Sequence, residues 1–208
     1  MEALVAFAAA LVAVRFAGDL ARRFRERRSP ELLAWSASLL AYALASGALA
    51  WGAAAGWTDE AFRTYYLFGG LLTAPLLGTG SLLLVGRRWA APLALVYGGI
   101  AVGITVAEPL TSPVRGETIP EAQAHLDVFP ARVVAIAGNA AGTIAVLAVG
   151  VATFRRRPVA NALILAGTAV AAVGSAAAGL GAAETSAFAL VAVALLYAGF
   201  VAATGLRP

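Results

Sequence analysis

The chain has 208 residues, of which 61% are hydrophobic and 12% charged, with a formal net charge of +4. A soluble domain carries about 25% charged residues, so this composition, with a mean hydropathy of +0.85, excludes an ordinary water-soluble fold and points to an all-α integral membrane protein. The absence of cysteine excludes disulfides, thiolate metal sites and cysteine nucleophiles, and the single histidine, His125, excludes a bis-histidine haem site within one chain.

A transmembrane helix needs roughly 20 apolar residues. Seven segments meet this length, at about 3–21, 31–55, 61–85, 89–107, 129–153, 159–180 and 185–204. Together they form a single seven-span domain. The first has only Glu2 before its apolar run and Arg22, Arg23, Arg25, Arg27 and Arg28 after it. That order predicts an uncleaved span with its N-terminus outside rather than a signal peptide. Arg15 and Asp19 lie one turn apart inside this span and are expected to form an intramembrane charge pair. Asp19 is only three residues from Arg22, so the pair reads as structural before it reads as an ion path.

The third span contains Thr73-Ala-Pro75-Leu-Leu-Gly78-Thr79-Gly80-Ser81. Pro75 is 12 residues from both Arg63 and Arg87, close to the bilayer midplane. Proline has no N–H for the carbonyl four residues back, and its ring crowds that carbonyl. Gly78 and Gly80 loosen the next turn, and Thr73, Thr79 and Ser81 can satisfy freed backbone groups. Broken helices at mid-membrane are where secondary transporters bind solutes; the competing reading is an ordinary proline kink.

The fourth span carries Tyr97 at mid-depth and ends at Glu108. The loop 108–128 is too short for a core of its own. Within it, Thr118-Ile-Pro120-Glu121 has the form of a capping box with proline in the first turn, predicting a short helix over about 119–127. Glu121 and His125 share a face of that helix, but two ligands without a third do not make a zinc site, and no metal or cofactor is assigned. The fifth span begins with Arg132, and Asn139 lies seven residues on, about 10 Å deeper at 1.5 Å per residue. If spans 3, 4 and 5 converge, Arg63, Glu108 and Arg132 frame a polar mouth that favours anionic ligands. Interface anchoring with local partners is the alternative. Gly99/Gly103 and Gly138/Gly142 form GxxxG pairs, and Gly174/Ala178 a related one, all permitting close helix contact within the bundle or with another copy.

All 15 basic residues are arginine, and 11 cluster at Arg22–Arg28, Arg87–Arg88, Arg155–Arg157 and Arg207. Eight of the 11 acids fall in the opposite set of loops. The positive-inside rule then predicts N-terminus outside, C-terminus cytoplasmic, in a multi-pass cell-membrane protein. Anionic lipid headgroups are the counter-charges of the inner clusters. Arginines confined to short loops between spans are not the basic face of a soluble domain, so nucleic acid is excluded as a partner.

Phe24-Arg-Glu-Arg-Arg resembles Phe154-Arg-Arg-Arg, and Ser46-Gly-Ala-Leu-Ala resembles Gly174-Ser-Ala-Ala-Ala, giving a 3+1+3 internal repeat as an expectation. Seven spans in this orientation are similar to the microbial rhodopsins, but retinal attachment there requires a lysine, and this chain has none. The 3+1+3 arrangement resembles the sugar-efflux SWEET family and its PQ-loop relatives in topology alone; no Pro-Gln pair is present, so no family residue carries over. The leading functional expectation is a small-solute permease or channel-like protein with a midplane site at the third span. The alternatives are a non-transporting module (a sensor, assembly factor or complex subunit, alone, as a homo-oligomer or with a membrane partner) and a lipid-modifying enzyme using Glu108, Asp127 and His125.

Overall fold

A computed structural model describes residues 1–178 and 185–204. The expected turn at 181–184, the end of the sixth span at 179–180 and Arg207 lie outside the described residues. The described chain is helical, and seven of its helices are long and apolar enough to cross a membrane. They are α1 (Glu2–Arg27), α2 (Pro30–Ala55), α3 (Asp59–Leu84), α4 (Ala90–Ala107), α5 (Val128–Ala152), α6 (Pro158–Ala178) and α7 (Thr185–Thr204).

The first helix runs six residues past its apolar segment, so its arginines continue it beyond the hydrophobic stretch. Arg28 stops it in the left-handed conformation (φ 53°) and returns its N–H to the carbonyl of Phe24. Pro30 then opens α2 at a first-turn position, where its missing N–H costs nothing. Thr58 caps α3, accepting the N–H of Ala61 at 3.3 Å.

Six helices close a ring in the order α1, α2, α3, α5, α6, α7, with α7 packing back on α1. The fourth helix leans on α3 and the first turn of α5 from outside, and only 11% of its span is buried. The two three-helix halves do not pack alike. α1 and α2 pack extensively, whereas α5 and α6, their counterparts in a 3+1+3 repeat, pack sparsely.

Two apolar clusters hold the ends of the ring. At the arginine-bearing end, Phe16, Leu20, Leu39, Val193 and Leu196 pack with Trp35, Tyr197 and Phe200. At the other end, Leu49, Trp57 and Phe62 pack with Val114 and Leu126 of the long loop, which is thereby tied down over the bundle. The Val114 N–H donates to Asp59 at 2.7 Å, and the Trp57 N–H to the Gly116 carbonyl at 2.8 Å. The loop helix is one turn, Ala122–His125, rather than 119–127. Thr118 does not cap it; Glu121 occupies the cap position, and the chain is extended again by Leu126, whose side chain is drawn into the loop-end cluster.

Helix association in lipid relies on close packing of small residues. A Cβ on Gly78 would lie 2.6 Å from the Gly142 backbone, so α3 and α5 touch through their main chains. Gly80 receives the Trp35 indole and Gly138 the Tyr97 ring.

Candidate functional site

The third helix is continuous, not broken. Pro75 sits in regular α-helix, and the distortion lies one turn earlier, where Tyr66–Leu72 form a π-helix. In this wide turn the Thr73 N–H returns to the carbonyl of Phe68, five residues back. Pro75 can return no N–H to Gly70 in that register, nor to Leu71 in the ordinary one. Neighbouring side chains meet the exposed backbone groups. Asn139 Nδ2 on α5 donates to the Gly70 carbonyl at 2.7 Å. The Ser38 hydroxyl on α2 donates to the Thr73 carbonyl at 2.7 Å, and the Thr73 hydroxyl to Phe68 at 2.7 Å.

Inside the ring, beside this π turn, is a cavity of about 680 Å³ lined by α2, α3, α5, α6, α7 and the loop at Ile119, Pro120 and Ala122. Its volume falls within the roughly 300–1,000 Å³ of small-molecule sites. Leu39, Leu77, Val146, Val193 and Leu196 bound it toward the arginine end. Its polar lining consists of short stripes. Ser38, Tyr42 and Ser46 follow one face of α2; Arg132, Asn139 and Thr143 follow one face of α5; Thr168 and Ser175 face in from α6. The Tyr42 hydroxyl crosses the ring to the Ala189 carbonyl at 2.6 Å, tying α2 to α7. No Asp or Glu lines the cavity among the described residues, and Arg132 is its one charged lining residue there.

Of the residues singled out from sequence, Thr73, Arg132 and Asn139 line this cavity. Pro75, Gly78, Thr79 and Ser81 do not. Gly78 is occupied by Gly142, and the Thr79 and Ser81 hydroxyls donate to the carbonyls of Pro75 and Leu77 on their own helix, at 2.8 and 3.1 Å. Tyr97 packs on Gly138 and donates to the Val134 carbonyl at 3.3 Å.

Arg63 and Glu108 do not line this cavity with Arg132. Arg63 turns to the end of α4, where its guanidinium donates to the carbonyls of Thr105 and, at 2.9 Å, Glu108. A cation on the last carbonyls of a helix complements its dipole, so Arg63 secures α4. Both Glu108 carboxylate oxygens are shielded and make no hydrogen bond of normal geometry, although the backbone N–H groups of Ala131 and Asp127 lie close by. This burial raises the carboxyl above its ordinary value; the backbone N–H of Ala131 lowers it, Asp127 raises it further, and Arg63 offsets part of the rise.

The pair expected between Arg15 and Asp19 is also rearranged. Asp19 meets Arg22 at 2.9 Å and accepts the Tyr197 hydroxyl at 3.0 Å. His125 is engaged by the Ser112 hydroxyl at 2.9 Å and the Phe62 ring, while Gln123 donates to Glu121 at 2.8 Å.

The missed lining residues carry a legible signal. Ser38, Tyr42 and Ser46 recur every four residues, which puts them on one helical face. What cannot be read along one helix is that this face and the stripe on α5 line the same cavity. The fold and site define a polytopic membrane protein with an interhelical cavity. Comparison with protein-family models, curated proteins and solved structures finds no match.

Proposed function

We propose that the protein is a small permease-like carrier whose solute occupies the ring cavity, entering from the loop end. The observation that carries this reading is the cavity itself, built where π-helical backbone, Asn139 and Arg132 converge. Irregular backbone at membrane depth is tolerated where it is buried in protein or lines a cavity, and π turns within α-helices recur at functional sites. Thr73 and Asn139 offer polar contacts deep in the cavity, and Arg132 attracts acceptor-rich or anionic groups. The arginine clusters support a cytoplasmic arginine end and an outward loop end.

The chain contains no cysteine, so single-cysteine variants in liposomes report access without background. Thr73→Cys and Thr143→Cys are expected to react with a membrane-impermeant maleimide from the loop end, and Thr79→Cys and Ser81→Cys to stay unreactive. A carrier must also expose its floor to the other side at times, so Leu77→Cys should react from the arginine end. Reaction from the loop end alone indicates a non-transporting receptor, and no reaction at Thr73 or Thr143 removes the site.

A second reading, a module that docks to another membrane protein, is favoured by α4. Its Gly98, Gly99 and Gly103 have nothing within 4 Å of an added Cβ, although such residues usually mark helix contacts.

A further inference from the structure

The wall of the cavity is uneven. On the α2–α7 side its residues are sealed: Leu39 is 3% exposed and Val193 0%, and α1 packs against both helices. On the opposite side, between α5 and α6, the lining residues Ile136, Ala140 and Ala172 are exposed, Ile136 to 67%. The two helices meet near the arginine end, where Leu165 packs on Gly150 and Asn161 donates to Thr153 at 3.1 Å. Toward the loop end the cavity lies between them, and among the described residues no other helix packs extensively across both.

The one charge on the lining also has a defined depth. Arg132 is in the first turn of α5, and the cavity follows that helix to Val146, about 21 Å further at 1.5 Å per residue. Among the described residues the Arg132 guanidinium has no carboxylate within ion-pair distance and no hydrogen bond. A cation at interfacial depth above a largely apolar chamber has the layout of one lipid leaflet, head at the surface and tail inward.

From this we infer that the cavity opens sideways into the bilayer between α5 and α6 and admits a single-tailed anionic amphiphile, its carboxylate or phosphate head seated on Arg132 and its chain alongside Asn139 and Thr143. This rests on the cavity being a ligand site. The volume suits one chain of drug-like size. The chain gains little by leaving lipid for an equally apolar wall, so selection falls on the head, where a guanidinium binds an oxyanion through charge-assisted hydrogen bonds.

The test is photolabelling in liposomes with a diazirine-bearing long-chain fatty acid, followed by peptide mapping. Label is expected on the α5 and α6 lining, reduced about tenfold in Arg132→Gln, the loss of a single charged contact. The matching fatty alcohol should label wild type and Arg132→Gln alike. Ala140→Trp, which narrows the opening, should reduce labelling by both probes, with unchanged melting temperature as the control for folding. Excess lysophosphatidic acid should compete, whereas inorganic phosphate and acetate should not. Competition by the water-soluble anions overturns the bilayer source. Label spread over α4, or insensitivity to Arg132→Gln, overturns the site, and crosslinking of Ile136→Cys between two copies overturns the open gap. If Thr73→Cys still reacts from water when labelling fails, the carrier reading stands and the ligand class falls.

Discussion

Asn139 on α5 takes the Gly70 carbonyl of α3 one turn before Pro75, the residue with no N–H to return. Gly70 lies in the π-helical turn and Pro75 in the α-helix that follows it, and the Gly70 carbonyl is taken at 2.7 Å by the Asn139 side-chain amide. The proline and the asparagine are therefore one device, joining two helices beside the cavity. Removing Asn139 leaves a carbonyl without its donor, whereas removing Pro75 restores a backbone donor.

A double-mutant cycle tests this coupling. Asn139→Leu is expected to lower stability by about 1 kcal/mol, the scale of hydrogen bonds between membrane helices. In a Pro75→Ala background the cost should shrink, because the residue 75 N–H re-pairs the carbonyl ladder. Thermal unfolding in detergent of the four proteins measures the difference. Equal costs in both backgrounds would separate the two residues.

The two GxxxG pairs look equivalent in sequence and should behave oppositely. A Cβ on Gly142 would enter the Ala74 backbone, and neither helix can yield there without moving. Gly142→Ala is expected to cost about 1–3 kcal/mol through overpacking. Gly99→Ala and Gly103→Ala meet open space and should be neutral or stabilising by up to about 1 kcal/mol from helix propensity. Melting temperatures of the monomeric protein decide the matter. A loss at Gly99 equal to that at Gly142 would mean α4 is packed against something in solution.

The seven spans were legible because apolar length is a property of one segment at a time. Helix ends were less so, since α1 continues through Arg22–Arg27 after its hydrophobicity has ended. In the third span, Pro75 announces a missing donor, but the shift in register sits at Tyr66–Leu72, where Ser38 and Asn139 reach in from other helices. Residue type alone does not show that the Thr79 and Ser81 hydroxyls turn back to the carbonyls four residues earlier, a common use of such residues in helices. Arg132 and Asn139 line the cavity, whereas the Arg63 guanidinium is taken up by the end of α4.

Arg63 and Arg132 should therefore separate in function. Arg63 holds the last carbonyls of α4, and Arg63→Ala is expected to cost about 1.5–3 kcal/mol, the range for hydrogen bonds to charged groups. Hydrogen exchange should speed up at the amides of the last turn of α4, with Arg63→Lys only partly restoring protection because it lacks the planar fork. Solute access to the cavity should be unchanged. Arg132→Ala should leave α4 protected and weaken ligand capture. Hydrogen exchange and cysteine labelling on both variants read the two effects independently.

Glu108 gives the protein a pH-dependent stability of predictable sign. Its shielded carboxyl is raised above the ordinary value of 4.5, so the folded state holds this proton more tightly than the unfolded chain. Where the folded state binds more protons, stability falls as pH rises. The contribution is thus unfavourable above the folded-state value and fades as pH drops through 4.5. Glu108→Gln keeps the shape and removes the charge. The variant is expected to match wild type near pH 4 and to exceed it increasingly as pH rises from about 4.5 through the raised folded value, with a plateau beyond. Melting temperature against pH for the two proteins measures it. A difference that stays constant across that range would show that the carboxylate finds a partner when it ionises.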